Sequence, residues 1–284
     1  MGITFLTILL TVTACRKSTY NSPSPVTVKE VELRNDATLG NVLTDKDGRT
    51  LYYSANDAAG VNTCVGGCAV LWPIFNSDNL GPDKLGTGLD VNDFGSITTA
   101  SGNKQSTYKG RPLYYFAPAA NGVNTPEPAG QTGGDNKNGI FFVAKPDYTI
   151  NISNAQLTGL DGKNYLPDDN EGVGKTPYFT DGKGLTLYTF ISDRLNKNNF
   201  TKPDFSNNNI WPIYETDKIV VPTALDKTLF GSITVFGRKQ LTYNGWPLYY
   251  FGQDGSVMGA NKGVSFPTPG FWFVPVKIFV APNP

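Results

Sequence analysis

Beyond the N-terminus, hydrophobic positions in this chain come in short bursts broken by glycine, proline, asparagine and aspartate. Val42 and Leu43 lead into Asp45-Lys46-Asp47-Gly48, and Leu51, Tyr52 and Tyr53 lead out, which predicts a hairpin with a glycine-containing turn. Further strands are predicted at residues 97–99, 105–108 and 113–116. The last two are joined by a tight turn, with Pro112 tolerated because it stands at a strand start. Residues 117–138, rich in glycine, proline and asparagine, predict a mobile loop before a strand at 140–143.

The pattern then starts again. Residues 103–116, NKQSTYKGRPLYYF, return as RKQLTYNGWPLYYF at 238–251 with ten of fourteen positions identical. The stretch 178–193 matches the first hairpin, Trp211-Pro212-Ile213 matches Trp72-Pro73-Ile74, FGSIT at 230–234 repeats 94–98, and GFWFV at 270–274 echoes GIFFV at 139–143. Order is kept throughout, the mark of a tandem duplication. The copies are placed at 39–148 and 178–280, with a linker at 149–177. Leu-Tyr-Tyr or Leu-Tyr-Thr begins at 51, 113, 187 and 248, so each copy holds two related hairpins. With Gly 31, Pro 20, Tyr 14 and Phe 17, the expected fold is mainly β: two tandem copies of a small β domain built from hairpins, with little helix, meeting through aromatic strands.

Residues 3–14 are an apolar run of signal-peptide length, and Cys15 follows at once. The segment 1–15 resembles a bacterial lipoprotein signal with Val12-Thr13-Ala14-Cys15 as its lipobox, which implies that Cys15 is lipidated and anchors an extracytoplasmic protein to a membrane of the cell envelope. Residues 16–38, opening with Ser, Asn and two prolines, are expected to be a flexible tether.

Charge and residue usage narrow the chemistry. Lys+Arg 24 against Asp+Glu 24 leaves no surplus of cations for nucleic acid. With His 0, the usual general base and the commonest metal ligand are missing. No metal or cofactor is implied. Asp45, Asp47 and Gly48 are similar to the start of a calcium loop, but Asn56 stands at its twelfth position and the second copy keeps only Asp181 and Gly182, as a turn requires. Cys64 and Cys68 remain as a pair across Gly66 and Gly67, read as a disulfide shaping a tight loop. A redox dithiol is the alternative, though its usual spacing is one residue shorter. A metal site would need further ligands. The second copy has no cysteines. Paired carboxylates such as Asp168 and Asp169 lie in the linker without a partner at a defined separation.

The Gly-Arg-Thr-Leu-Tyr-Tyr, Thr-Cys-x-Gly-Gly-Cys-Ala-x-x-Trp-Pro and Tyr-x-Gly-x-Pro-Leu-Tyr-Tyr-Phe elements together resemble a bacterial secreted repeat of unknown function, found in lipoproteins with a Tyr-x-aromatic-x-x-Asp pattern. Tyr188, Phe190 and Asp193 fit that pattern, as do Tyr249, Phe251 and Asp254. The first copy departs from it: Ser54 follows Tyr52, and Ala119 stands where Tyr114 and Phe116 call for an aspartate. The resemblance implies an envelope location and no catalytic residue. A non-catalytic binding or structural module is the expected function, with an envelope protein or a glycan as partner; the alternative is a redox or electron-transfer accessory using Cys64 and Cys68.

Overall fold

The computed structural model describes residues 1–2, 27–276 and 280–284; Cys15, with nearly all of the expected signal, lies outside them. Because turn residues interrupt every apolar burst, the strands are short. The first copy contributes β1 (Val31–Asp36), β2 (Gly40–Asp45), β3 (Tyr52–Ser54), the helix α1 (Gly67–Leu71), β4 (Phe94–Thr98), β5 (Lys104–Tyr108), β6 (Arg111–Pro112), β7 (Ala119–Ala120), β8 (Val123–Asn124) and β9 (Phe141–Val143). The second adds β10 (Asn151–Thr158), β11 (Asn164–Tyr165), β12 (Lys175–Thr180), β13 (Thr189–Phe190), β14 (Phe230–Val235), β15 (Arg238–Tyr243), β16 (Trp246–Pro247) and β17 (Trp272–Phe273). The protein is mainly β, as its turn-punctuated pattern predicts.

All pairings between these strands are antiparallel and repeat between copies. β1–β2 corresponds to β10–β12, β3–β9 to β13–β17, and the meander β4–β5–β6 to β14–β15–β16. Two-residue loops close the meanders. Lys109 and Gly110 join β5 to β6, and Asn244 and Gly245 join β15 to β16; all four have positive φ, the type I′ geometry whose twist suits a hairpin.

Three stretches expected to be irregular are built into the fold. β1 lies within the expected tether: Val31 is fully buried, Leu33 faces Leu43, and Asp36 Oδ1 accepts the amides of Thr38 and Leu39 at the hairpin turn. The expected linker holds β10 and the first half of β12, and Ile150, Ile152 and Leu157 are buried there. The expected mobile loop carries the β7–β8 hairpin and the buried Glu127. Conversely, the strand expected at 113–116 is reduced to single bridges from Tyr114 to Tyr52 and to Ile74.

Each copy has an aromatic core around one tryptophan. Trp72 stacks on Phe141 at 3.7 Å and Trp211 on Trp272 at 3.6 Å, the rings nearly parallel in both. Tyr52 meets Trp72 edge-on, as Tyr188 meets Trp211. A glycine roofs each cluster: a Cβ on Gly134 would lie 2.9 Å from both Trp72 and Tyr52, and one on Gly263 would lie 2.8 Å from Trp211 and Tyr188. Between copies the core is continuous. Tyr53 and Phe142 of the first pack in one cluster with Ile150, Phe179 and Leu187 of the second, and Ala55 O accepts the amide of Asn154 at 2.8 Å.

These contacts leave no room for a methyl group at either glycine. Gly134→Ala and Gly263→Ala should each destabilise the protein by about 1–3 kcal/mol through overpacking, whereas Gly122→Ala, with open space around it but a positive φ, should report backbone strain alone. Urea unfolding of the three variants checks this.

Candidate functional site

Tyr52 and Tyr114 exchange backbone hydrogen bonds at 2.9 Å in both directions, and Tyr188 and Tyr249 do the same. Each pair joins the two hairpins of its copy, so the tyrosines sit about a local two-fold relation. Their hydroxyls cross over. Tyr249 donates to Asp193 at 2.8 Å and Tyr188 donates to Asp254, so each tyrosine is bonded to the carboxylate of the other motif. In the first copy Tyr114 donates to Asp57 at 2.5 Å.

Tyr52 lacks the aspartate that Ala119 displaced, and Glu127 supplies the carboxylate instead. Sequence reasoning missed this residue because it comes from a loop outside the motif's register. One signal was available: Glu127 and Asp135 are the only acids between residues 117 and 138.

Every carboxylate in the set also holds a loop. Asp57 accepts the Thr63 amide at 2.8 Å, Asp193 that of Asn199 at 2.7 Å, Glu127 that of Gly133 at 2.9 Å and Asp254 that of Lys262 at 2.9 Å. The amides of Gly134 and Gly263 donate in turn to the hydroxyls of Tyr52 and Tyr188. Because successive strand residues point to opposite faces, the next tyrosines reach the other way. Tyr115 donates to Asp45 at 2.9 Å and Tyr250 to Asp181 at 3.0 Å. Asp45 and Asp181 are the turn aspartates, each also accepting two amides of its own turn. The likeness to a calcium loop is thus accounted for by a turn and a tyrosine.

Burial sets the electrostatics of these pairs. Desolvation pushes the hydroxyls of Tyr52, Tyr114, Tyr188 and Tyr249 far above the ordinary tyrosine range, and their carboxylate partners push the same way. All four remain protonated donors. Desolvation also raises the carboxyls of Asp57, Glu127 and Asp254, and takes Asp193 up to about 7. Asp193 lies beneath a groove of about 510 Å³ edged by Ile191, Trp246 and Phe273. A carboxyl poised near neutrality beside a groove fits acid–base chemistry in principle. Here Asp193 is 0% exposed, and its two oxygens are taken by Asn199 and Tyr249.

Cys64 and Cys68 stand at disulfide distance with Cα atoms 5.2 Å apart, and Cys64 is buried against the Trp72 core. The equivalent loop of the second copy reveals what substitutes for them. Asn62 donates to Gln105 at 2.7 Å as Asn198 donates to Gln240 at 2.8 Å, which aligns Cys64 with Phe200. Cys68 and Asn207 each give their carbonyl to the amide of the tryptophan four residues on. Asn207 Nδ2 donates to Phe200 O at 2.8 Å, so a hydrogen bond joins the positions that the sulfurs join in the first copy. Asp168 and Asp169 are not brought to this site: Asp168 accepts from Asn170 on an exposed turn, and burial with the neighbouring Asp168 charge takes Asp169 up to about 6.

Fold and site together define a tandem β repeat whose hairpins are clamped by tyrosine–carboxylate pairs. Residues 35–76 and 234–265 match the profile of a family described as a secreted repeat of unknown function, one match falling in each copy of the duplication. The first segment contains Tyr52 and Asp57, the second Tyr249 and Asp254. Among curated proteins and among solved structures, none matches this chain.

Two outcomes follow from this geometry. Asp193 binds its proton more tightly folded than unfolded, so between roughly pH 4 and 7 the folded state holds more protons and stability falls as pH rises. Asp193→Asn, which is neutral at every pH, should flatten that decline; urea midpoints measured from pH 4 to 8 check it. The cysteine loop is short, so Cys64→Ser with Cys68→Ser should cost about 2 kcal/mol or less, and thiol trapping in freshly lysed cells should find the pair oxidised.

Proposed function

We propose that the chain is a lipid-anchored, non-catalytic module of the bacterial envelope, tethered through Cys15 and presenting a rigid β body to an envelope protein. The apolar run ahead of Cys15 and the family's naming as a lipoprotein family support the anchor. Among the described residues, no helix is long and apolar enough to cross a membrane. The observation that carries the non-catalytic reading is the closure of the four tyrosine–carboxylate pairs: the motif residues are buried and spend their polar atoms on one another and on loop amides.

The same burial bears on the partner. Stacking on a sugar needs open ring faces, and Tyr52, Tyr114, Tyr188 and Tyr249 are all 0% exposed. Val61, Val65 and Val70, by contrast, are each more than half exposed around the cysteine loop. A surface of small apolar side chains on a loop held at both ends suits a protein partner better than a glycan.

Cys15→Ser should move the protein from the membrane fraction to the soluble one, and a variant that is processed yet still sediments with membranes would count against the anchor. In the same cells, crosslinking should capture an envelope protein with the native chain and lose it with Val65→Asp and Val70→Asp. Unchanged capture by that folded variant would remove the loop from the proposed surface, and retention on purified polysaccharide would favour the glycan.

A further inference from the structure

Arg111 is 4% exposed, and among the described residues no carboxylate lies within ion-pair distance of it. It sits in β6 of the first copy and reaches into the second, where Nη2 donates to Ser153 Oγ at 3.2 Å and to Thr180 Oγ1 at 3.0 Å. The guanidinium lies over the ring of Tyr53, 4.9 Å from its centroid. Its Nε and Nη1 are buried with no hydrogen-bond partner among the described residues, as are Tyr53 Oη and Asn151 Oδ1. A buried cation with unspent donors is costly unless a counter-charge or an acceptor meets it.

These groups border one cavity. Arg111, Tyr53 and Asn151 line a chamber of about 20 Å³ together with Lys109, Lys145 and Tyr148, and no carboxylate lines it. That is space for a single water-sized species. Both lysines have partners outside it: Lys109 Nζ donates to Pro146 O at 2.6 Å and stands 3.8 Å from Asp93, and Lys145 Nζ donates to Leu39 O and stands 3.9 Å from Asp147. Of the three cations only the arginine makes no ion pair among the described residues; the buried Asp57 feels its charge from beyond ion-pair distance. The wall is completed by Asn151 from β10 and Gly182 from the second copy's first turn, so the chamber exists only where the two copies adjoin.

We propose that this chamber binds a small monovalent anion of halide size, held by Arg111 Nε and Nη1, and that the anion ties the first copy to the second. A halide accepts from several donors at once without a directional demand of its own, and Arg111 Nε, Arg111 Nη1 and the Tyr53 hydroxyl are donors here without a partner among the described residues; Asn151 Oδ1, an acceptor, takes no part in holding it. A larger oxyanion such as sulfate does not fit a space of this size. The position is particular to the junction. The residue equivalent to Arg111 in the second copy is Trp246, whose indole Nε1 donates to Val280 O at 2.8 Å near the chain's end.

The full chain is tested in chloride, bromide and gluconate at constant ionic strength. The native protein should show a saturable rise in unfolding temperature with chloride or bromide, of about 3 °C or more once the site is filled, and Arg111→Met should show none. Bromide-soaked crystals of the native protein should give an anomalous peak in contact with Arg111, a readout that does not depend on the variant folding. Equal halide responses of the two proteins, or a chamber holding only water in bromide, would overturn the proposal.

Discussion

A buried tyrosine hydroxyl is costly unless it finds an acceptor, and a buried carboxyl unless it finds donors; two such exchanges per copy hold this fold together. Strands of two or three residues supply few ladder hydrogen bonds, so β3, which pairs with β9 over only three residues, has little of its own to keep it in register. Crossing Tyr249 to Asp193 and Tyr188 to Asp254 joins two hairpins side chain to side chain as well as main chain to main chain. The remaining carboxylate oxygens then fix loop amides six or eight residues further on. Loops that composition marks as irregular are thereby ordered from inside the core, and a pair broken at either end would strand the other group in an apolar setting.

The two copies reach one geometry by different chemistry, which separates what the fold requires from what it merely uses. Both copies place a carboxylate opposite the first hairpin's tyrosine: with alanine at position 119, Glu127 fills the place from another loop. A closed loop before the tryptophan is required, but a disulfide is not, since Asn207 and Phe200 close it with one hydrogen bond and a ring packed against Trp272. The same comparison weighs against shared redox chemistry, because the second copy keeps the loop and dispenses with the sulfur.

Much of this was legible in the residues. Duplication, β class, hairpin positions and the Tyr-x-aromatic-x-x-Asp pairs in the second copy all follow from local pattern. What failed were inferences from composition. Serine and proline before Val31 suggested a tether, yet Val31 and Leu33 alternate with polar residues as a paired strand does. Residues 149–177 look like a linker because Asp168, Gly172 and Gly174 dominate their second half, while β10 is secured by Ile150, Ile152 and Leu157 in the first. Glu127 was hidden for a different reason: a contact made across 75 residues from an irregular loop has no period to reveal it. Pairing of Arg111 with the second copy was hidden likewise, since sequence identity between copies says nothing of how they dock.

The four differences within the fourteen-residue repeat can be read physically one by one. Asn103 bonds Ser101 in its own turn, while Arg238 in its place pairs with Glu215 at 2.9 Å and lies over Phe205. Ser106 exchanges hydrogen bonds with Ser77, while Leu241 packs into the apolar cluster that spans both copies. Lys109 reaches Pro146 O on the chain leading out of its copy, whereas Asn244 is the residue type favoured at the positive φ that both positions adopt. Arg111 meets the next copy's β10 and β12, whereas Trp246 meets the chain end. The ten identical positions include the tyrosines and glycine that close each copy upon itself; the four that differ answer to neighbours the copies do not share. Divergence after duplication has therefore fallen on position in the tandem, and Arg111 is where that position carries a buried charge.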